Sequence, residues 1–389
     1  MDLPISFSNH LPVKIRFGEG VALTLPEVLT ELRSAKVFLM VDEGIESYNH
    51  AAATVITTLA STEVEVVRFN KPAGEPTFAM VDEATSALRQ SGATSLIALG
   101  GGSVIDTAKA ARLCAQLNYT FQEFLDQRPA YPEPQVALIA IPTSAGTGSE
   151  VSGGAVVSNP EAGTKNGIAN ALMRAQFALV DPLLTHSMPK AMTANTGIDA
   201  IAQAIAGMVA SCRTPIGDAI ALEAISMMTP AIVAAYKNPN DAKARAAMSC
   251  GSMMAGLTMN VSDCSAEHSL GQAIGGLTHA PHGLTIGLVL AETLDRERAF
   301  VAPQLERVAT AMGEPEDGTS DGSRAVRAVK RLLKDLDFPV LSDLDLDETD
   351  LDALTELALA DYFITMAPEP WSNSEVRACF ANALALESR

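Results

Sequence analysis

Hydrophobic and polar positions alternate in two different textures along this chain. In the first part, short apolar runs are separated by stretches with helical spacing. Lys36 to Val41 is one such run, closed by Asp42, and Val64 to Phe69 is a second, rich in β-branched residues. Ser95 to Gly100 and Val136 to Pro142 repeat the pattern. Brief apolar runs bounded by turn residues predict buried strands. Between them, Phe78–Ser91 and Val104–Leu117 carry helical periodicity. Strand alternating with helix predicts a doubly wound, mostly parallel sheet. After about Leu184 the texture changes. Met192–Ala210, Ile216–Tyr236, Ala242–Met259 and Arg324–Leu336 are rich in Ala, Met and Leu at helical spacing, with few strand signals. Pro182 and Pro189 bracket the change, and proline disfavours a helix running through it. The expected architecture is an α/β dinucleotide-binding domain over residues 1–185, followed by an all-α metal and substrate domain over 186–389.

Composition narrows the function. The 389 residues are 48% hydrophobic and 19% charged, as in folded domains. A net charge of −19 repels a polyphosphate backbone and gives no attraction to anionic lipid, so neither nucleic acid nor membrane is an expected partner. Cys114, Cys212, Cys250, Cys264 and Cys379 contain no CxxC pair and read as reduced thiols. No signal-peptide pattern opens the sequence, and the apolar runs read as interrupted before membrane-spanning length. A cytoplasmic location is expected.

The segment Gly100-Gly-Gly-Ser-Val-Ile-Asp106 follows a predicted strand and opens a predicted helix. Small residues there let backbone amides approach a pyrophosphate at a helix N-terminus. Asp42, at the end of an earlier strand, is placed to accept hydrogen bonds from an adenine ribose and to repel a 2′-phosphate, which favours NAD over NADP. A strand-end turn aspartate is the simpler alternative.

Gly100-Gly-Gly-Ser-Val-Ile-Asp-Thr-Ala-Lys109 resembles the cofactor-binding signature of the iron-containing (group III) alcohol dehydrogenases. The likeness extends to Phe17-Gly-Glu-Gly20, Pro142-Thr-Ser-Ala-Gly-Thr-Gly-Ser-Glu150, Lys165 and Asp181-Pro182, covering roughly residues 10 to 295 and thinning beyond. It implies that Gly101, Gly102 and Ser103 cradle the pyrophosphate. It also implies that Thr143, Thr147 and Ser149, with Ser144 among them, line the ribose side, that Lys165 contacts the cofactor, and that Asp106 anchors the turn.

The same resemblance implies a metal site with two departures. Gly197-Ile-Asp199-Ala-Ile-Ala-Gln203 stands where the family has an Asp and a His four residues apart, which share one helix face. Here the second position is Gln203. Glu267-His268-Ser-Leu-Gly-Gln272 and Pro281-His282-Gly283 match two further ligand segments, but Gln272 replaces another histidine. Asp199, His268 and His282 therefore remain, with Gln203 offering a neutral carbonyl oxygen, a poorer ligand for iron or zinc. Glycerol dehydrogenases, relatives of the family, hold zinc with one Asp and two His, so three residues suffice. Maleylacetate reductases, also relatives, work without metal.

The implied chemistry is NAD-dependent oxidation of an alcohol, or reduction of an aldehyde or ketone, assisted by a divalent metal. His268, His282 and His279 carry it on a small polar substrate, in a homodimer or higher homo-oligomer. Gln272 cannot act as acid or base, so water, a ribose hydroxyl or His279 must move the proton. Trp371 is either a wall of the site or a core aromatic. A metal-independent reductase and a non-catalytic dinucleotide-binding homologue are the alternatives.

Overall fold

A computed structural model describes residues 7, 10, 11, 13–161 and 164–386. The chain divides into two compact units at Met188/Pro189. The first contains strands β1 (Lys14–Phe17), β2 (Lys36–Asp42), β3 (Glu65–Lys71), β4 (Ser95–Gly100), β5 (Ala137–Pro142), β6 (Gly154–Asn159), β7 (Thr164–Ala169) and β8 (Phe177–Val180). Its helices are α1 (Leu25–Glu31), α2 (Ile45–Tyr48), α3 (His50–Ala60), α4 (Phe78–Ser91), α5 (Gly102–Leu117) and α6 (Phe121–Gln127). The second unit holds α7 (Lys190–Val209), α8 (Pro215–Lys237), α9 (Ala242–Thr258), α10 (Ala266–Thr278), α11 (His282–Ala311), α12 (Ser323–Asp335), α13 (Leu351–Ala360) and α14 (Asn373–Leu384). Every strand among the described residues lies in the first unit, as the change in texture predicts.

Six strands form one parallel sheet in the order β1-β8-β5-β4-β2-β3, and β6 pairs with β7 as an antiparallel hairpin. The central strands are covered on both faces. Val37, Leu39, Val41, Ile97, Leu99, Ile139 and Ile141 join one core. The intervening Phe38, Met40, Leu96, Ala98, Leu138 and Ala140 join another. Two buried faces explain why these strands read as continuous apolar runs rather than alternating ones.

The register aligns the carboxyl ends of β2, β4 and β5. Val41 pairs with Leu99, and Gly100 with Pro142. From β2 the chain first builds outward to β3, then returns past β2 to β4 and continues to β5 on the other side. Such a reversal leaves a crevice at the carboxyl edge where α/β sheets take ligands. Local signals set the elements around it. Thr77 accepts a hydrogen bond from Met80 N at the start of α4, and Gly92 ends that helix at φ 62°.

In the helical unit, α8 is capped by Thr214, starts at Pro215 and packs against α7 and α9. By length and composition it is apolar enough to cross a membrane, which corrects the expectation that every apolar run stops short. Its apolarity has a local cause in this fold, since Ala221, Ala224, Ile225, Met228 and Ile232 are buried core residues, and Asp218 within it is paired with Arg213 and Arg307. All five cysteines are unpaired, and Cys114, Cys264 and Cys379 are buried.

Candidate active site

Two groups of residues carry chemistry, one in each unit. In the α/β unit, β4 ends at Gly100 and α5 begins at Gly102, with Gly101 as an N-cap that has no side-chain partner. The first amides of this 16-residue helix therefore stay available at the sheet's carboxyl edge. Asp42 Oδ2 lies 3.5 Å from Gly101 N. Burial raises the Asp42 pKa, opposed by Lys71 and by that amide.

The glycines have separate reasons. A Cβ on Gly102 would sit 2.6 Å from Thr147 Cγ2, so the loop after β5 packs directly on the helix start. At Gly101 the nearest atom, Ser144 Oγ, is 3.4 Å away, an ordinary contact limit. Thr143, Ser144 and Thr147 thus border the glycine turn, Thr143 through the hydrogen bond its N–H donates to Gly100 O at 3.0 Å.

Ser149 is turned inward. Its hydroxyl donates to Asp106 and accepts from Lys109 Nζ at 2.8 Å, at 3% exposure. Asp106 also accepts from Val156 N at 3.0 Å, tying α5 to β6. Burial lowers the Lys109 pKa to about 8, against the opposing pull of Asp106 and Glu150, and raises Glu150 to about 7. Ser103 Oγ donates to Gly74 O at 2.7 Å, and Lys165 on β7 pairs with Glu75 at 2.8 Å. The Gly74–Glu75 bend thereby joins the turn to the hairpin, and no motif marks it in the sequence.

In the helical unit, Asp199 lies in α7, His268 in the first turn of α10 and His282 at the start of α11. Gly283 permits this meeting. A Cβ there would lie 2.2 Å from Asn195 O and 3.1 Å from Asp199 Cβ, so only glycine lets α11 press this closely on α7. One ligand atom from each of Asp199, His268 and His282 lies within 4.8 Å of the others. Asp199 Oδ1 is 3.6 Å from the Nε2 atoms of both histidines.

Gln203, one turn along α7, donates from Nε2 to Asp199 Oδ2 at 3.1 Å. Asp199 Oδ1, His268 Nε2 and Gln203 Oε1 are buried without a hydrogen-bond partner. Each such group costs about 1–3 kcal/mol. Asp199 Oδ1 and His268 Nε2, 3.6 Å apart and grouped with His282, fit donors to a cation, so the residues present suit a divalent ion. Burial works to raise the Asp199 pKa, but His282, His268 and Gln203 outweigh it and the carboxyl is held low. Burial opposes charge on His268, yet its pKa is raised by Cys264, Asp199 and Glu267.

No spacing or motif gives Glu267 a role, and the structure puts it behind His268. Its Oε1 accepts from His268 Nδ1 at 2.6 Å. The ring also meets Phe363 edge-on, at 5.7 Å between centroids. Phe363 lies two residues after Asp361, which accepts from Ser269 Oγ at 2.6 Å and so binds that segment to α10. Gln272 is half-buried. His279 is exposed and ends α10 at φ 57°. Trp371 is buried with its ring over the Arg296 guanidinium, 4.5 Å away.

Comparisons with known proteins follow this geometry. Residues 12–182 match the family described as iron-containing alcohol dehydrogenase, and 193–384 match its C-terminal family. The likeness therefore continues well past residue 295, where the recognisable motifs end. Choline dehydrogenase of Bacillus subtilis is 32% identical over 360 residues, covering 90% of this chain and 89% of that protein. NAD-dependent methanol dehydrogenase of Bacillus methanolicus is 26% identical over 96% of this chain and 99% of its own. A crystal structure of 1,3-propanediol oxidoreductase superposes with a TM-score of 0.92 at 26% identity, over 97% of this chain and 100% of that one. With both units matched, and with relatives that share nearly the full length, the chain is an oxidoreductase acting on CH–OH groups and belongs to the iron-containing alcohol dehydrogenase family.

Proposed function

We propose that this protein is an NAD-dependent alcohol dehydrogenase, or in reverse an aldehyde or ketone reductase, that uses a divalent metal, iron or zinc, on a small polar substrate. The observation that carries the reading is the grouping of Asp199, His268 and His282, with Asp199 Oδ1 and His268 Nε2 buried and without a hydrogen-bond partner. Asp199, His268 and His282 would hold the ion, with the Gln203 carbonyl as a weak fourth donor. When bound, the metal supplies Lewis acidity to the substrate oxygen.

The remaining work falls to the chain itself. The amides of Gly101, Gly102 and Ser103 receive the pyrophosphate, and Thr143, Ser144 and Thr147 border the riboses. Asp42 accepts the adenine-ribose hydroxyls and disfavours a 2′-phosphate, and the name of the methanol dehydrogenase relative agrees with NAD. Ser149 and Asp106 support that loop from within, and Lys165 is held toward it by Glu75. Phe363 walls the site beside His268 and helps to exclude water. His279, exposed in the segment leading to His282, is the titratable group assigned to pass the proton to solvent.

The test is a screen of primary alcohols, diols and aldehydes with NAD(H), run on protein as purified, after chelator dialysis and after return of Fe²⁺ or Zn²⁺. Turnover lost on chelation and restored by metal is expected. Full turnover in metal-free protein would move the assignment to the metal-independent reductases. No turnover with any substrate in metal-loaded protein would favour a binding role.

A further inference from the structure

The His268 ring is held on the side away from Asp199. Nδ1 donates to Glu267 Oε1 at 2.6 Å, and the same oxygen accepts from Ser265 N at 3.1 Å. The second carboxylate oxygen of Glu267 is buried without a hydrogen-bond partner, and the residue is 1% exposed. Glu297 lies close by, fully buried and bonded to Ser265 Oγ at 3.3 Å. Burial and Glu267 together push its pKa up to about 8, so Glu297 takes up the neutral form beside its neighbour.

Burying a carboxylate costs several kcal/mol unless opposite charge offsets it. Two hydrogen bonds from neutral donors are a small return. The cost is recovered if the imidazole carries positive character, as it does when its other nitrogen donates to a cation. A carboxylate on the far nitrogen fixes the tautomer, aims Nε2 and makes the ring a stronger base. The cluster needs that help. Gln203 contributes no charge and little basicity, and its amide nitrogen donates to Asp199.

We infer that Glu267 is a positioning residue that strengthens His268 as a metal donor and so compensates for the neutral amide at Gln203. The inference rests on the reading that Asp199, His268 and His282 hold a divalent ion. The rival role is local. Glu267 stands in the first turn of α10, where an acidic side chain stabilises a helix N-terminus without reference to any ligand.

The experiment measures Zn²⁺ and Co²⁺ affinity of the full chain by competition with a chelator, for wild type and Glu267→Gln. Apo melting temperature, NADH binding and the Co²⁺ visible spectrum are recorded alongside. Glutamine keeps an acceptor for Nδ1 and removes the charge. Affinity is expected to fall about ten- to a hundredfold, with a shifted Co²⁺ spectrum and unchanged NADH binding. Adding Gln203→His to Glu267→Gln should recover at least about tenfold of it by restoring a strong donor.

Unchanged affinity and spectrum in Glu267→Gln, with or without a lower apo melting temperature, would overturn the inference and leave a helix cap. Should that variant not fold, Glu267→Asp retracts the carboxylate by one methylene. It is expected to weaken binding in the same direction, and wild-type affinity in it overturns the inference equally. A wild type that binds neither ion overturns the metal reading itself, a result distinct from equal binding by wild type and variant.

Discussion

The glycine turn after β4 and the Asp199–His268–His282 cluster are built by opposite means. The turn is one continuous stretch, Ser95 to Leu117, in which a buried strand ends, three glycines pass and a helix starts. Its chemistry lies in backbone amides, so most of its information is local. The cluster draws single side chains from α7, α10 and α11, and it depends on Gly283 letting two helices touch. A local device tolerates a changed neighbour better than a convergent one. Gln203 and Gln272, at the two positions where the resemblance implies histidine, both fall in the helices of the convergent side.

That contrast can be broken most severely at Asp199. Asp199→Ala removes the charge shared by both histidines, and turnover should drop about a thousandfold, ~4 kcal/mol of transition-state stabilisation, while NADH affinity stays within twofold or so. Steady-state rates set beside NADH fluorescence titration check this, and a parallel loss of NADH binding would mean that the two sites are not separable. The complementary change is Gly102→Val. Its side chain would meet Thr147, already only 2.6 Å from a Cβ at that position, and NADH affinity should fall by about a hundredfold, with Zn²⁺ binding retained. Unchanged NADH affinity in folded Gly102→Val would remove the turn from the cofactor site.

Finer effects sharpen the same division. Asp42→Gly should narrow the preference for NAD over NADP by about tenfold, or ~1.4 kcal/mol, measured as the ratio of kcat/KM values. A wild type already indifferent to the 2′-phosphate would show that Asp42 serves the Gly101 amide alone. The smallest effect concerns Glu150, whose pKa burial raises to about 7 from 4.5. The folded state then binds a proton that the unfolded state has released, so this contribution is whole below about pH 4.5 and fades as pH rises through 7. Glu150→Gln should flatten the fall in stability across that window in denaturant titrations, and an unaltered slope would assign the pH dependence elsewhere.

Legibility followed the same line. The strand over Ser95–Gly100 and the helix over Phe78–Ser91 are placed by sequence at their structural limits, because buried apolar runs and capping residues are local signals. β1 and β8 escape because each has only four residues, and β1, at the sheet edge, shows no clean alternation. Spacing and resemblance picked out Asp199, His268 and His282 together. Nothing in spacing could show that Glu267 turns back onto the ring of its own neighbour, or that Phe363 covers the ring from 95 residues away along the chain. Likewise Ser149 reads as facing a ligand until Asp106 and Lys109 are seen to claim its hydroxyl.

Asp199, His268 and His282, the proposed metal donors, all belong to the unit that begins at Pro189, and the glycine turn belongs to the other. Each ligand should therefore act as a thermal staple for a different cooperative block. At a hundredfold excess over its Kd, a ligand adds about 2.7 kcal/mol to the state that binds it. In scanning calorimetry, Zn²⁺ should raise the transition of the helical block and NADH that of the α/β block. The melting record would then serve as a map of which half of the molecule each ligand holds.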